Sequence, residues 1–373
     1  MDPFCFLHNQ DGVPGASAET DTTFSGPHEP ASDQICDWSL LVLLTDDPIA
    51  LSRYGSNRYR PGVHGLDRTE EGEDDRASVE LEAANNHGGG EAVTALELLQ
   101  REKECGSITT FSSQLDRALK GGLPVGKVTE ICGAPGVGKT QLCLQLSVDV
   151  QVPLSFGGLE GQVIFMDTEG SFVLQRVGDV AAAVVRHFSL VAEDGEQKDA
   201  MQTFDMESIL SNIFLVRCHD YVELLAELHL LPDFLRDQPR VRLLVIDSVA
   251  FPFRQQLDDL SLRTRLLQGL AQQLVSIATR HNIAVVITNQ MTTRLQDSQS
   301  HLVPALGEIW GHASTTRILL QWEGSRQVAA IVKSPCCMDT AVQYHITSEG
   351  FRDVNQPENS DQPEIPLTER RSL

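Results

Sequence analysis

"GAPGVGKT", residues 133–140, lies between the apolar run "VTEI" (128–131) and the helix-like "QLCLQLSVDV" (141–150). Its glycines let the backbone wrap closely, so that successive N–H groups can point inward at anionic oxygens. A helix beginning near Thr140 adds the positive end of its dipole to the same place. Gly133, Gly138, Lys139 and Thr140 match G-x-x-x-x-G-K-[ST], in which the lysine reaches the β/γ oxygens of a triphosphate and the hydroxyl ligates magnesium. A plain glycine-rich turn is the competing reading. The strand before and the helix after, which the mechanism requires, favour the phosphate loop.

Working outward, apolar runs alternate with helical patterns. "KVTEIC" (127–132), "QVIFMD" (162–167), "IFLVRC" (213–218), "RLLVIDS" (242–248) and "IAVVITNQ" (283–290) are short, rich in β-branched residues and polar at the carboxyl end. That is the pattern of buried parallel strands. Between them, "LRTRLLQGLAQQLVSIATRHN" (262–282) places Leu262, Leu266, Leu270, Leu274 and Ile277 on one helical stripe. Beyond Trp310, "TRILLQW", "QVAAIVK" and "AVQYHIT" alternate around a tight "EGS" turn, which predicts an antiparallel extension. The fold expected is α/β: a mostly parallel sheet flanked by helices, with a C-terminal antiparallel addition.

Three strand ends carry candidate chemistry. Asp247 ends "RLLVID" and would hold magnesium opposite Thr140, although many buried strands end in an acid for capping alone. Glu169, just past "VIFMD", stands where a carboxylate can orient an attacking water; a turn acid without a role is the bland alternative. Gln290 can donate and accept, so it could sense the γ-phosphate, whereas an Asn-Gln pair at a strand end is usually only a turn.

Composition bounds the partners. The chain has 373 residues and a net charge of -23. Residues 1–100 carry 5 basic and 19 acidic side chains, residues 101–353 carry 22 and 29, and residues 354–373 carry 2 and 4. An acidic chain is a poor general binder of nucleic acid, so any such contact must be local or shared with partners. The eight cysteines show no metal spacing; Cys132 and Cys143 read as small core residues, and a reducing intracellular compartment fits. "WSLLVLL" (38–44) is too short to span a membrane, and no membrane segment is expected. Residues 1–90 read as a largely disordered or atypical region, in which "WSLLVLLTDDPIALSRYG" could form a short helix or strand. A linker helix is expected over 91–105, the folded core over 106–353 and a disordered tail over 354–373.

Taken together, "ITTFSSQLDRALKGGLPVGKVTEICGAPGVGKTQLC", "VIFMDTEGSF", "RLLVIDSVAFPFR", "DDLSLRTRLL", "IAVVITNQMTT" and "GHASTTRILL" resemble the ATPase core of the RecA-type recombinases. The eukaryotic branch is the closer match, and within it the C paralogues of the strand-exchange recombinase. The resemblance covers about residues 93–353. It implies a RecA-like P-loop ATPase core in which Gly133, Ala134, Pro135, Gly136, Val137, Gly138, Lys139 and Thr140 bind ATP. Asp247 and Thr140 would serve Mg2+, Glu169 would position water, and Arg176 would stack on adenine. Arg254 and the segment to Arg263 match a first DNA-facing loop, and residues 291–309 with Arg294 a second. An ordinary solvated charge is the bland alternative for each arginine. His312, Lys333 and Pro335 match residues at the interface between protomers.

Departures from the family pattern matter too. "QQLDDL" (255–260) makes the first DNA-facing loop acidic through Asp258 and Asp259, which disfavours autonomous strand exchange. No F-x-x-A motif occurs, residues 1–90 do not resemble the family's small helical N-terminal domain, and "ERRSL" lacks a clear nuclear-import cluster. The resemblance implies a slow, DNA-dependent ATP hydrolase of homologous recombination. It would act with sister recombinase paralogues, single-stranded and branched DNA and the strand-exchange recombinase, in the nucleus and also the cytoplasm. The alternative is an ATP-bound assembly subunit with no DNA contact or useful turnover of its own. A hexameric helicase or small-molecule kinase is disfavoured, because nothing resembles a substrate lid.

Overall fold

The computed structural model describes residues 94–255, 257, 259–296 and 299–354. The expectations for residues 1–90, for Asp258 and for nearly all of the tail lie outside the described residues. Helix α1 (Ala95–Glu104) starts on a capping box: the Thr94 hydroxyl accepts from the Glu97 amide, and the Glu97 carboxylate accepts from the Thr94 amide at 2.8 Å. None of its residues is buried. Strands β1 (Ser107–Ile108) and β2 (Leu123–Pro124) pair antiparallel on either side of α2 (Ser113–Ala118).

Strand β3 (Val128–Gly133) then runs into the phosphate loop and α3 (Lys139–Asp149). The chain continues through β4 (Gln162–Asp167), α4 (Leu174–Val191), α5 (Gly195–Ala200), α6 (Met206–Ser211) and β5 (Ile213–Arg217). Next come α7 (Tyr221–Asp237), β6 (Val241–Asp247), α8 (Ala250–Gln255), α9 (Leu260–His281) and β7 (Ala284–Asn289). A hairpin of β8 (Met291–Gln296) and β9 (Gln299–Pro304) leads through α10 (Gly307–Gly311) to β10 (Thr316–Glu323), β11 (Arg326–Lys333), β12 (Thr340–Thr347) and β13 (Gly350–Asp353). The segment 291–309, expected as a loop, is thus a regular two-stranded hairpin followed by a short helix.

Nine of the strands form one sheet in the order β13-β12-β11-β10-β3-β7-β6-β4-β5. The run from β10 to β5 is parallel, and β10 to β13 are antiparallel. Strand side chains alternate in direction, and both faces are covered. Ile131, Phe165, Val245 and Val286 pack with Leu142 and Leu146 of α3 and Val177 of α4. Val128, Ile164, Leu244 and Val285 pack with Leu228 of α7 and Leu270 of α9 on the other face. Each such buried aliphatic side chain contributes about 1.5–3 kcal/mol. The stripe of α9 is where its spacing puts it: Leu266, Leu270, Leu274 and Ile277 are buried. Asp259 caps that helix, accepting from the amides of Ser261 and Leu262 at 2.8 and 3.1 Å. Among the described residues no helix is long and apolar enough to cross a membrane.

The antiparallel extension also bears on the phosphate loop. Fully buried Tyr344 of β12 stacks on Phe351 at 4.5 Å, and its hydroxyl donates to the Val137 carbonyl inside the loop. Asp353, at the end of β13, accepts from the amide and hydroxyl of Ser113 at 2.9 and 2.7 Å, which closes the extension onto α2.

Beside that contact, Asp116 accepts from the Thr110 amide and hydroxyl at 2.9 and 2.8 Å. Burial outweighs those bonds and, with Asp353 nearby, raises its carboxyl from 3.8 to about 6. The folded chain then binds more protons than the unfolded one between pH 3.8 and about 6, so this group's contribution to stability falls as pH rises through that window. Asp116→Asn is expected to remove that part of the decline, read as the difference between variant and parent urea midpoints across the window.

Candidate functional site

The carboxyl ends of β3, β7, β6 and β4 lie side by side in the sheet, and Gly133, Asn289, Asp247 and Asp167 end them. Open α/β sheets bind ligands at this edge. Helix α3 presents its N-terminus here. Its N-cap is Gly138, no side chain caps the first turn, and no acid lies in that turn. The end is therefore a set of N–H groups suited to an anion. Gly138 has φ 101°, and a Cβ there would meet Ile346 at 3.1 Å; a Cβ on Gly133 would meet the Leu320 carbonyl oxygen at 2.5 Å. Only glycine lets the loop pass between the antiparallel extension and the strand end.

Lys139 turns its ammonium back onto its own loop, donating to the carbonyls of Gly133 and Ala134 at 3.0 and 3.2 Å. Burial lowers its pKa, and the Asp247 and Glu169 carboxylates oppose the shift. Asp247 is 2 % exposed. Its Oδ2 accepts from Thr140 at 2.6 Å and from Ser171 at 3.3 Å, and its Oδ1 from Thr288 at 2.5 Å. Burial raises its pKa, against the two threonine bonds.

Glu169 stands past the end of β4 and is exposed. Ser248 and Gln290 both donate to its Oε1, at 2.5 and 3.0 Å. Gln290 accepts in turn from Arg254 Nη1 at 2.9 Å. Lys139, Thr140, Glu169, Asp247 and Gln290 are thus drawn together at one sheet edge. Ser171, Ser248 and Thr288 complete the arrangement and were missed in the sequence, where only their place beside "EG", "ID" and "NQ" hints at them.

The remaining sequence candidates are placed as follows. Ala134, Pro135, Gly136 and Val137 form the turn between Gly133 and Gly138, with Gly136 at φ 81°. Arg176, in the first turn of α4, is held by its edge: it donates to Gln141 and to the carbonyls of Thr347 and Ser348, each at 2.6 Å. Stacking on a base uses the guanidinium face and is compatible with that anchoring. Arg254 lies in the last turn of α8, and Arg294 is exposed on β8, opposite His301. Arg263 is in the first turn of α9, not on a loop, and lines a cleft of about 990 Å3 with exposed His312. Lys333 donates to the carbonyls of Gly311 and Ser314 in its own chain, and Pro335 is exposed just beyond β11.

A phosphate-bound magnesium ion fits this donor set. Magnesium is usually held by one or two carboxylates together with substrate phosphates. Thr140 and Asp247 offer one hydroxyl and one carboxylate, and among the described residues no group of three His, Cys, Asp or Glu side chains could hold a metal unaided. The uncapped helix end and the glycine turn fit the phosphates.

The family model described as Rad51 matches residues 101–354. The chain is similar to DNA repair protein RAD51 homolog 3 of Cricetulus griseus, 52% identical over 278 residues, 74% of this chain and 76% of that protein. It is similar to DNA repair protein RAD51 homolog 3 of Dictyostelium discoideum, 40% identical over 273 residues, 72% and 71% of the two chains. It is also similar to DNA repair and recombination protein RadA of Aeropyrum pernix, 32% identical over 265 residues, 70% and 77%.

Strain at the loop is directly testable. Gly138→Ala must hold an L-residue at φ 101° against Ile346, and is expected to lower unfolding stability by about 1–3 kcal/mol in urea titration. Gly195→Ala, with nothing within 4 Å of its added Cβ, is expected to change it by less than about 0.5 kcal/mol.

Proposed function

The chain belongs to the Rad51 family, a family of RecA-like proteins that bind ATP with magnesium, and from that premise we propose that it is an ATP-dependent DNA-repair protein of homologous recombination. It acts in heteromeric complexes with sister recombinase paralogues, in the nucleus and also the cytoplasm. These complexes bind single-stranded and branched DNA, assist assembly of recombinase filaments and help resolve recombination intermediates. The observation that carries this reading is the convergence of Lys139, Thr140, Glu169, Asp247 and Gln290 at one sheet edge.

In this reading residues 133–140 enclose the phosphates, Lys139 exchanges its carbonyl partners for β/γ oxygens, and Arg176 stacks on adenine. Thr140 and Asp247 would hold the magnesium, which would supply charge neutralisation to the phosphates. Glu169 positions the attacking water. Its Oε1 takes both protein donors, and among the described residues Oε2 has no partner, so Oε2 is the oxygen that accepts from the water. Arg254 links the proposed DNA surface to this carboxylate through Gln290. His312, Lys333 and Pro335 belong to the surface that meets a neighbouring protomer, and Arg263 and Arg294 to the DNA surface.

One observation favours the second reading, an ATP-bound assembly subunit without its own DNA contact. Arg254 is hydrogen-bonded inward to Gln290, and Asp259 caps the helix beside it. ATP would then stabilise the assembled form by mass action alone.

Turnover with and without single-stranded DNA, measured on the chain with its sister paralogues, separates the readings. Lys139→Ala is expected to lose nucleotide binding, and Glu169→Gln to keep binding while turnover falls by about 100-fold or more. Parent-like hydrolysis by Glu169→Gln would remove Glu169 from its role. DNA stimulation is expected to disappear when Arg254→Ala and Arg294→Ala are combined; a parent enzyme that DNA never stimulates would leave the assembly reading.

A further inference from the structure

Three consecutive residues, the last two of β7 and the one after it, each hold a different carboxylate. Thr288 donates to Asp247, Asn289 Nδ2 to Glu130 Oε1 at 2.7 Å, and Gln290 to Glu169. Asp247 and Glu169 belong to the nucleotide pocket. Glu130 does not: it stands in mid-β3, fully buried, paired in register with Ile287 of β7 and Arg317 of β10. Its neighbour Val128 and the flanking Val285 and Ile287 of β7 pack in the core on the α7/α9 side of the sheet. Glu130 and Asn289, two residues along from them, share that side, opposite α3.

A charge buried this deeply persists only if it is matched. Arg317 donates to Glu130 Oε2 from Nε at 2.8 Å and approaches with Nη2 at 2.7 Å, and the Ser314 hydroxyl donates to the same oxygen at 3.2 Å. Oε1 is left to Asn289. The Asn289 Oδ1 has no partner among the described residues, so the bond to Glu130 is what fixes the amide. Lys333 donates to the carbonyls of Gly311 and Ser314, which flank exposed His312.

We propose that Glu130 is a positioning residue for the nucleotide pocket. From the far side of the sheet it sets the end of β7 through Asn289, and so the aim of Gln290 onto Glu169. Through Arg317 and Ser314 it ties the segment carrying His312 to the same strand end. The inference rests on the reading of the pocket as a site of ATP turnover, but names a residue that touches neither nucleotide nor water.

Asn289→Leu removes the bond at similar size and leaves Glu130 paired with Arg317. The expected result, in the full chain with its sister paralogues, is Mg–ATP affinity and KM as in the parent with kcat lowered by about tenfold. The double variant Glu130→Gln with Asn289→Asp reverses donor and acceptor across the same contact, leaves an amide oxygen on β3 to accept from Arg317, and keeps one carboxylate in the cluster, on β7. It is expected to recover most of the parent kcat, which a merely structural loss would not do. Parent-like kcat in Asn289→Leu would overturn the inference; so would a double variant that folds and binds Mg–ATP but stays as slow as Asn289→Leu. Should the single variant not fold, the double variant decides against the parent: a kcat within about threefold of the parent supports the inference, and one lowered by about tenfold overturns it. A parent chain that binds no Mg–ATP would instead overturn the reading of the pocket.

Discussion

One buried carboxylate joins the parts of this molecule. Asp247, 2 % exposed at the end of β6, accepts hydroxyls from the first turn of α3, from the end of β7 and from the turn after β4. A charge held this deep is unfavourable unless donors surround it. Those donors come from elements distant in sequence but adjacent in the sheet order β3-β7-β6-β4. Satisfying the carboxylate therefore draws the glycine turn, Gln290 and Glu169 to one place.

The loop is also held from the C-terminal side. Tyr344 reaches the Val137 carbonyl, Ile346 lies 3.1 Å from where a Cβ on Gly138 would be, and Arg176 grips the carbonyls of Thr347 and Ser348. The antiparallel extension thus braces the glycine turn as well as adding to the sheet. On the opposite face the Glu130–Arg317 pair braces the same strand ends. Removing one partner of such a pair alone leaves an uncompensated buried charge, which is why the contact is first probed at Asn289, with the Glu130–Arg317 pair left in place.

Local chemistry was legible in the sequence. A phosphate loop is contiguous, so Gly133 to Thr140 could be read from spacing, and Asp247, Glu169 and Gln290 from their places at strand ends. The apolar runs that predicted the parallel strands are the ones that supply both cores. Less legible was whatever depends on register between distant strands. Nothing near Thr288 or Ser171 announces that their hydroxyls meet at Asp247. Glu130 was visible as an acid inside "KVTEIC", but its partners Asn289 and Arg317 lie on strands named only by the fold. Similarly, the resemblance matched residues 291–309 to a DNA-facing loop, whereas cross-strand pairing joins 291–296 to 299–304 as a hairpin.

Amide hydrogen exchange on the full chain, with and without a non-hydrolysable Mg–ATP analogue, tests the pocket most directly. A triphosphate seated on the N-terminus of α3 predicts slowed exchange across residues 134–141 and 288–290. It predicts unchanged exchange across residues 152–161, which precede β4 at the other edge of the sheet. Unchanged exchange across 134–141, or protection confined to 152–161, would contradict a nucleotide pocket built around Asp247.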